Sequence, residues 1–271
     1  MKLDHTSGKL SFSFDLQAST LTDDFGFTER FLRRLFFDDV YCIEKYLDEI
    51  RPQRHGAIRP IAAKPLDSAD ISISGESLLI EQQQVMQAWE RPLMARMARG
   101  ICSAGASVLE IGFGLGISAT EIQSMCPRRH VIVEANPAVA EIARRWQSGL
   151  EANIEIIESR WENADFGRET FDGVLFDAYP SDEEEVQGNL NQGKKAAEKF
   201  FPTAQKLTAE GGKFTFYSGS EIGLPLRLQD ELFLRFGALR LERVSGLMPP
   251  EDCNYWISSE MVVVFAEKVA R

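Results

Sequence analysis

Ser107-Val108-Leu109-Glu110-Ile111-Gly112-Phe113-Gly114-Leu115-Gly116 decides the fold. A short apolar run enters glycines at every second position, and helical sequence follows to about Ser124. That is a buried strand, a turn that lets a ligand approach the backbone, and a helix with free N-terminal N–H groups. Downstream the alternation repeats. His130 to Glu134 reads as a second strand followed by a helix through Trp146, and Asn153 to Glu158 as a third strand. Phe171 to Phe176 reads as a fourth strand, Leu190 to Leu207 as a helix, and Lys213 to Tyr217 as a fifth strand after Glu210-Gly211-Gly212. Ala238 to Val244 and Met261 to Ala266 follow with no long helix between them, which predicts an antiparallel pair at one sheet edge. The expectation is an α/β chain with a doubly wound, mostly parallel, Rossmann-like seven-stranded sheet.

Upstream, Leu79 to Gly100 reads as helical sequence interrupted by Pro92. Residues 1–75 differ in character: an aromatic-rich stretch from Phe25 to Tyr46 predicts one or two amphipathic helices, and Arg51 to Ser74 is rich in Pro, Ala and Ser. This divides the chain into an N-terminal helical extension, 1–75, serving as lid or for packing or dimerisation, and a main domain, 76–271. No apolar run reaches the ~20 residues of a membrane span, and the start lacks the pattern of a secretory leader. Cys42, Cys102, Cys126 and Cys253 are scattered, and with only three histidines they offer poor material for a metal centre or disulfide framework. A reducing, cytoplasmic setting is the expectation. The formal net charge of −11 disfavours nucleic acid and suits a small neutral or cationic partner.

The glycine turn is not specific alone, because dinucleotide enzymes use a similar one. Glu134 at the end of the second strand can accept both hydroxyls of a bound ribose in either case. A dinucleotide turn places its third glycine three residues after the second, whereas Gly112, Gly114 and Gly116 are evenly spaced. Asp177 follows the fourth strand, where an open α/β sheet presents residues to a ligand, although an acid there can also cap a helix. Met86, Glu90 and Met94 stand four apart, which on a helix is one face. Methionines at that spacing are ordinary core filler, but a glutamate between them is rarely buried without a partner.

Taken in order, V-M-x-x-W-E-x-P-x-M at 85–94, V-L-E-I-G-F-G at 108–114, Val133-Glu134-Ala135-Asn136, Arg160-Trp161-Glu162, F-D-A-Y-P at 176–180 and P-P-E-D-C-x-Y at 249–255 resemble the guanidinoacetate N-methyltransferase family and its relatives that methylate arginine. The resemblance spans roughly Leu78 to Lys268. It implies a class I methyltransferase fold and S-adenosyl-L-methionine as cofactor. It places Met86, Met94, Glu110, the Gly112-Phe113-Gly114-Leu115-Gly116 turn, Ala135 and Asn136 against that cofactor, with Glu134 at its ribose and Arg160-Trp161 beside its adenine. It makes Glu90 and Asp177 the carboxylates that bind the guanidine, with Tyr179, Ser220 and Glu221 lining the acceptor site. The chemistry agrees: a planar guanidinium suits paired carboxylates, and its nitrogen must lose a proton to be methylated. Asp177 is the expected base and Glu90 the orienting group.

The chain departs from the family in two places. The family's upstream tryptophan has no counterpart, since no Phe, Tyr or Trp lies between His55 and Leu79. Glu221 stands where the family holds its acceptor's carboxylate, which favours free L-arginine or a similar guanidino compound over guanidinoacetate. Three other readings compete: an aminopropyl-transferring enzyme of the same fold, a non-catalytic methyltransferase-like binding module, and protein arginine methylation. The double-glutamate signature of the last is not evident, because Glu183-Glu184-Glu185 reads as a solvated charge run.

Overall fold

The computed structural model describes residues 2–3, 10–11, 68–74, 76–178, 196–221 and 223–270. The chain divides into two compact units, Met1–Tyr46 and Leu47–Arg271. In the first, β1 (Lys2–Leu3) pairs antiparallel with β2 (Leu10–Ser11). The helices expected between Phe25 and Tyr46 lie outside the described residues, as does Tyr179.

Among the described residues, the first elements of the second unit form a three-stranded antiparallel sheet, β3 (Ile71–Ser74), β4 (Ser77–Ile80) and β5 (Gln83–Gln87). This corrects the helix expected from Leu79. Glu81 and Gln82 turn with positive φ and close a hairpin, so the helix α1 begins only at Arg91, with Pro92 in its first turn, and runs to Ile101. Proline is tolerated there because the first-turn N–H groups lack helical partners. A 3-10 turn, Ala88–Glu90, joins strand to helix, and Gln87 N–H donates to Glu90 Oε1 at 3.0 Å. Met86, Glu90 and Met94 therefore lie on three different elements rather than along one helix.

The rest follows the α/β alternation. In chain order come β6 (Ser107–Ile111), α2 (Ile117–Ser124), β7 (Arg129–Glu134), α3 (Pro137–Ser148), β8 (Ile154–Glu158) and β9 (Phe171–Phe176). Then follow α4 (Ala196–Leu207), β10 (Thr208–Phe216), α5 (Leu226–Phe236), β11 (Gly237–Ser245) and β12 (Glu260–Lys268). They form a seven-stranded sheet in the order β11-β12-β10-β9-β6-β7-β8, with β12 antiparallel to both neighbours. The fold class is the doubly wound, mostly parallel sheet read from the glycine-turn unit. Two details differ. β10 starts at Thr208, its register with β9 slipping between Thr208 and Lys213, and α5 precedes the closing strands.

Side-chain alternation sorts the core into two layers. Val108, Ile132, Leu175, Val263 and Phe265 face α1, α2 and α3. Leu109, Val131, Val174, Phe214 and Val264 face α4 and α5, where Phe176 and Phe200 stack at 4.6 Å and Phe214 and Phe236 at 5.6 Å. Central strands buried on both faces read as continuous apolar runs, which is why they were legible.

Candidate functional site

Beyond the carboxyl ends of β6, β7 and β9 lies a cavity open to solvent. Gly112, Gly114, Glu134, Ala135, Arg160, Trp161 and Asp177 line it, all singled out in the sequence. Ile80 and Val85 of the hairpin, with Ser159, Glu162 and Ala178, also line it and were not assigned. Ile80 and Val85 were missed because a helix was expected where the hairpin stands.

The glycines act through close approach. Gly112 has φ +91°, and a Cβ there would fall 2.3 Å from the Asp177 carbonyl oxygen. Gly114 has φ +55°, and its Cβ would meet Met86 Sδ at 2.6 Å. Met86 Sδ also lies 3.3 Å from the Leu115 N–H, so Met86 supports the turn from behind rather than lining the cavity. Phe113 is buried against Trp146, its ring folded over Gly116. Its N–H donates to Glu134 Oε2 at 2.9 Å, and Asn136 N–H donates to Glu134 Oε1 at 2.8 Å. Burial pushes the Glu134 carboxyl up, opposed by these backbone donors. Asn136 caps α3, its side chain accepting from Ala138 and Val139. Met94 is fully buried in the core.

Glu110 does not line the cavity. Its carboxyl accepts from the Ser118 hydroxyl, and its Oε2 lies 2.9 Å from His130 Nε2 without meeting hydrogen-bond geometry. Gln123 Nε2 lies 3.0 Å from His130 Nδ1, so a buried polar group sits behind the glycine turn.

Glu90 and Asp177 come together from distant parts of the chain. Asp177 follows β9, its N–H donating to Ile111 O at 2.9 Å. Glu90 is buried, and its Oε1 accepts from Tyr255 Oη at 2.6 Å. The hairpin delivers Tyr255: Gln84 Nε2 donates to Asp252 O and Asn254 N–H donates to Gln84 Oε1, both at 2.9 Å. Trp89 packs on Tyr255 at 5.9 Å. The motifs at 85–94 and 249–255, far apart in sequence, are thus one structure. Burial raises Glu90 to about 8, the nearby Asp177 charge adding to it while the Tyr255 and Gln87 donors oppose it. Burial raises Asp177 to about 7, with the Glu110 charge contributing. Asp177 lines the cavity and Glu90 is not among its lining residues, lying buried close by; raised acids beside a cleft are a mark of chemistry or of cation binding.

Ser220 and Glu221 are not among the residues lining the cavity. Ser220 Oγ donates to Gly223 O, and its carbonyl accepts from Val262 N–H, so its polar groups serve the loop. Glu221 is exposed. Two tyrosines beside the acids, Tyr217 and Tyr255, were not assigned. Tyr255 closes the quoted motif at 249–255, whereas Tyr217 carries no local signal.

The cavity suits a nucleoside cofactor on its own geometry. Two glycines allow backbone approach at one wall, Glu134 offers oxygens at a strand end, and Trp161, held edge-on by Phe176 and Phe200, offers a flat apolar surface.

A family model described as guanidinoacetate N-methyltransferase matches residues 63–221. Among similar proteins, "Protein arginine N-methyltransferase 2" of Aspergillus oryzae is 32% identical over 157 residues, covering 57% of this chain and 36% of that protein. The Saccharomyces cerevisiae protein of the same name is 29% identical over 164 residues, covering 55% of this chain and 37% of that one. The match thus spans about a third of these relatives' length. A crystal structure of spermidine synthase in complex with the transition-state analogue AdoDATO superposes with a TM-score of 0.52 at 16% identity, covering 74% of this chain and 70% of that one. That likeness concerns the fold alone.

Proposed function

The chain belongs to the guanidinoacetate N-methyltransferase family, and from that premise we propose that it methylates a guanidino nitrogen with S-adenosylmethionine, its acceptor being free L-arginine or a similar small guanidino compound. The observation that carries this reading is the pair of raised carboxyl groups, Glu90 and Asp177, beside a glycine-walled cavity.

The cofactor supplies an electrophilic methyl group on a sulfonium. Glu134 would hold its ribose, Arg160 and Trp161 its adenine, and the Gly112–Gly114 wall its central part. Glu90 takes one edge of the acceptor guanidinium and is held by Tyr255 and the Gln87 N–H. Asp177 takes the other edge. Asp177 would accept the proton that the attacking nitrogen gives up on taking the methyl group, the sulfonium being left as a neutral thioether. A base near neutral is well matched to that step. Two fixed acids also convert an encounter into an aligned attack.

A second reading, an arginine side chain of a protein as acceptor, is favoured by the name the relatives carry. Methyl-transfer assays with arginine, agmatine, guanidinoacetate and an arginine-rich protein, read by mass spectrometry, separate them. Methylation of a small compound, reduced ~10²–10⁴-fold in Asp177→Asn, is the expected result. Methylation of the protein alone selects the second reading, and cofactor binding without any guanidino product sinks both.

A further inference from the structure

We propose that Tyr217 is a third polar anchor for the acceptor: its phenol oxygen accepts an N–H of the guanidino group that Glu90 and Asp177 bind. The inference rests on the reading above and deepens it by naming a specificity residue.

Strand register puts Tyr217 there. Phe216 of β10 pairs with Phe176 of β9, so the next residues, Tyr217 and Asp177, end neighbouring strands. Tyr217 N–H donates to Phe176 O at 3.1 Å, which ties the two ends together. Phe176 and Phe216 pack into the aromatic layer under α4, and alternation sends Tyr217 to the opposite layer. There its ring packs against the cluster that holds Met86, Leu93 and Met94. The ionisable groups close enough for their charge to act on it are Glu90 from the turn before α1, Asp177 after β9 and Cys253 from the segment before β12. Burial and these neighbours push the phenol well above its usual range, so it stays protonated.

Its hydroxyl is buried and, among the described residues, has no hydrogen-bond partner. Tyr255, in the same surroundings, does have one, donating to Glu90 Oε1. A buried hydroxyl without a partner costs stability, so its retention calls for a reason. The acceptor's donor count supplies it. A guanidinium carries N–H donors on every nitrogen and no acceptor. Glu90 Oε1 already takes Tyr255 and the Gln87 N–H, which leaves Glu90 Oε2 and the two oxygens of Asp177. Another acceptor on the same side satisfies a further N–H and fixes the plane of the group, and therefore which nitrogen faces the methyl.

Tyr217→Phe in the full chain tests this, because it removes only the oxygen. Thermal unfolding is measured without ligand. Calorimetric titration follows with S-adenosylhomocysteine, then with arginine, agmatine and guanidinoacetate in its presence, together with the KM for any that reacts. The expected result is an unliganded midpoint equal to or above wild type and unchanged S-adenosylhomocysteine affinity. The guanidino compound should bind roughly tenfold or more weaker, as for a lost hydrogen bond to a charged group. A lower midpoint with unchanged guanidino binding makes the hydroxyl structural and overturns the proposal. So does a loss of S-adenosylhomocysteine affinity instead. If wild type binds S-adenosylhomocysteine but no guanidino compound, the acceptor assignment fails and Tyr217's role falls with it. If wild type and variant bind equally well, only the role of Tyr217 falls.

Discussion

At the scale of single residues, the site is built from backbone contacts as much as from side chains. Asp177 is positioned by Gly112, whose missing Cβ leaves room for the Asp177 carbonyl oxygen 2.3 Å from where that carbon would sit. Gly112→Ala therefore faces both a clash and a positive φ, while Gly211→Ala, with φ +75° and nothing within 4 Å, faces the φ cost alone. Both variants should lose about 1–2 kcal/mol of stability from the backbone. Only Gly112→Ala should also lose turnover, by about 100-fold, because a displacement of about 1 Å at the reacting centre has that effect. Unfolding midpoints and turnover measured side by side check this, and equal activity in the two variants would contradict it. The glycine spacing was legible in the sequence because a strand–turn–helix unit is local. That Gly112 shapes the seat of Asp177, 65 positions away, was not.

At the scale of elements, the hairpin of β4 and β5 joins two walls. Its inner residues Ile80 and Val85 line the cavity, Met86 backs the glycine turn, and Gln84 clasps the segment that carries Tyr255 to Glu90. Removing the clasp should loosen the acceptor side while leaving the cofactor side intact. Gln84→Ala is expected to raise the acceptor KM about three- to tenfold with little change in S-adenosylhomocysteine affinity, since each lost bond is worth about 1 kcal/mol. Calorimetry and initial rates measure both, and a variant that weakens the cofactor equally would show that the hairpin acts as one unit. The expectation of a helix over this stretch failed for a physical reason. Methionine, glutamine and leucine suit helices by propensity, whereas here pairing with β3 decides, and that pairing is not written in the local pattern.

At the scale of the whole molecule, raised acids trade stability for binding. Asp177 at about 7 and Glu90 at about 8 hold their protons more tightly in the folded than in the unfolded chain. Their stabilising contribution is therefore complete below about pH 4 and lost as pH rises through their folded values. Cation binding has the opposite sign, because it needs both groups ionised. The affinity for arginine should rise between about pH 6 and 9 with protons released on binding, while the unliganded midpoint loses these groups' share. Titration in buffers of different ionisation enthalpy counts the protons, and binding without proton release would refute the pairing. Among the described residues no helix is long and apolar enough to cross a membrane. The sequence alone determined the parallel α/β sheet, the glycine turn, and Glu134 and Asp177 at strand ends, because buried strands and tight turns leave local patterns. Only the tertiary structure decided that Glu110 turns away toward Ser118 and His130, that Ser220 serves its loop, that Tyr255 donates to Glu90, and that Tyr217 ends the strand beside Asp177. Such placements depend on strand register, on which sheet face each side chain takes, and on contacts between segments far apart in the chain, none of which a local pattern encodes.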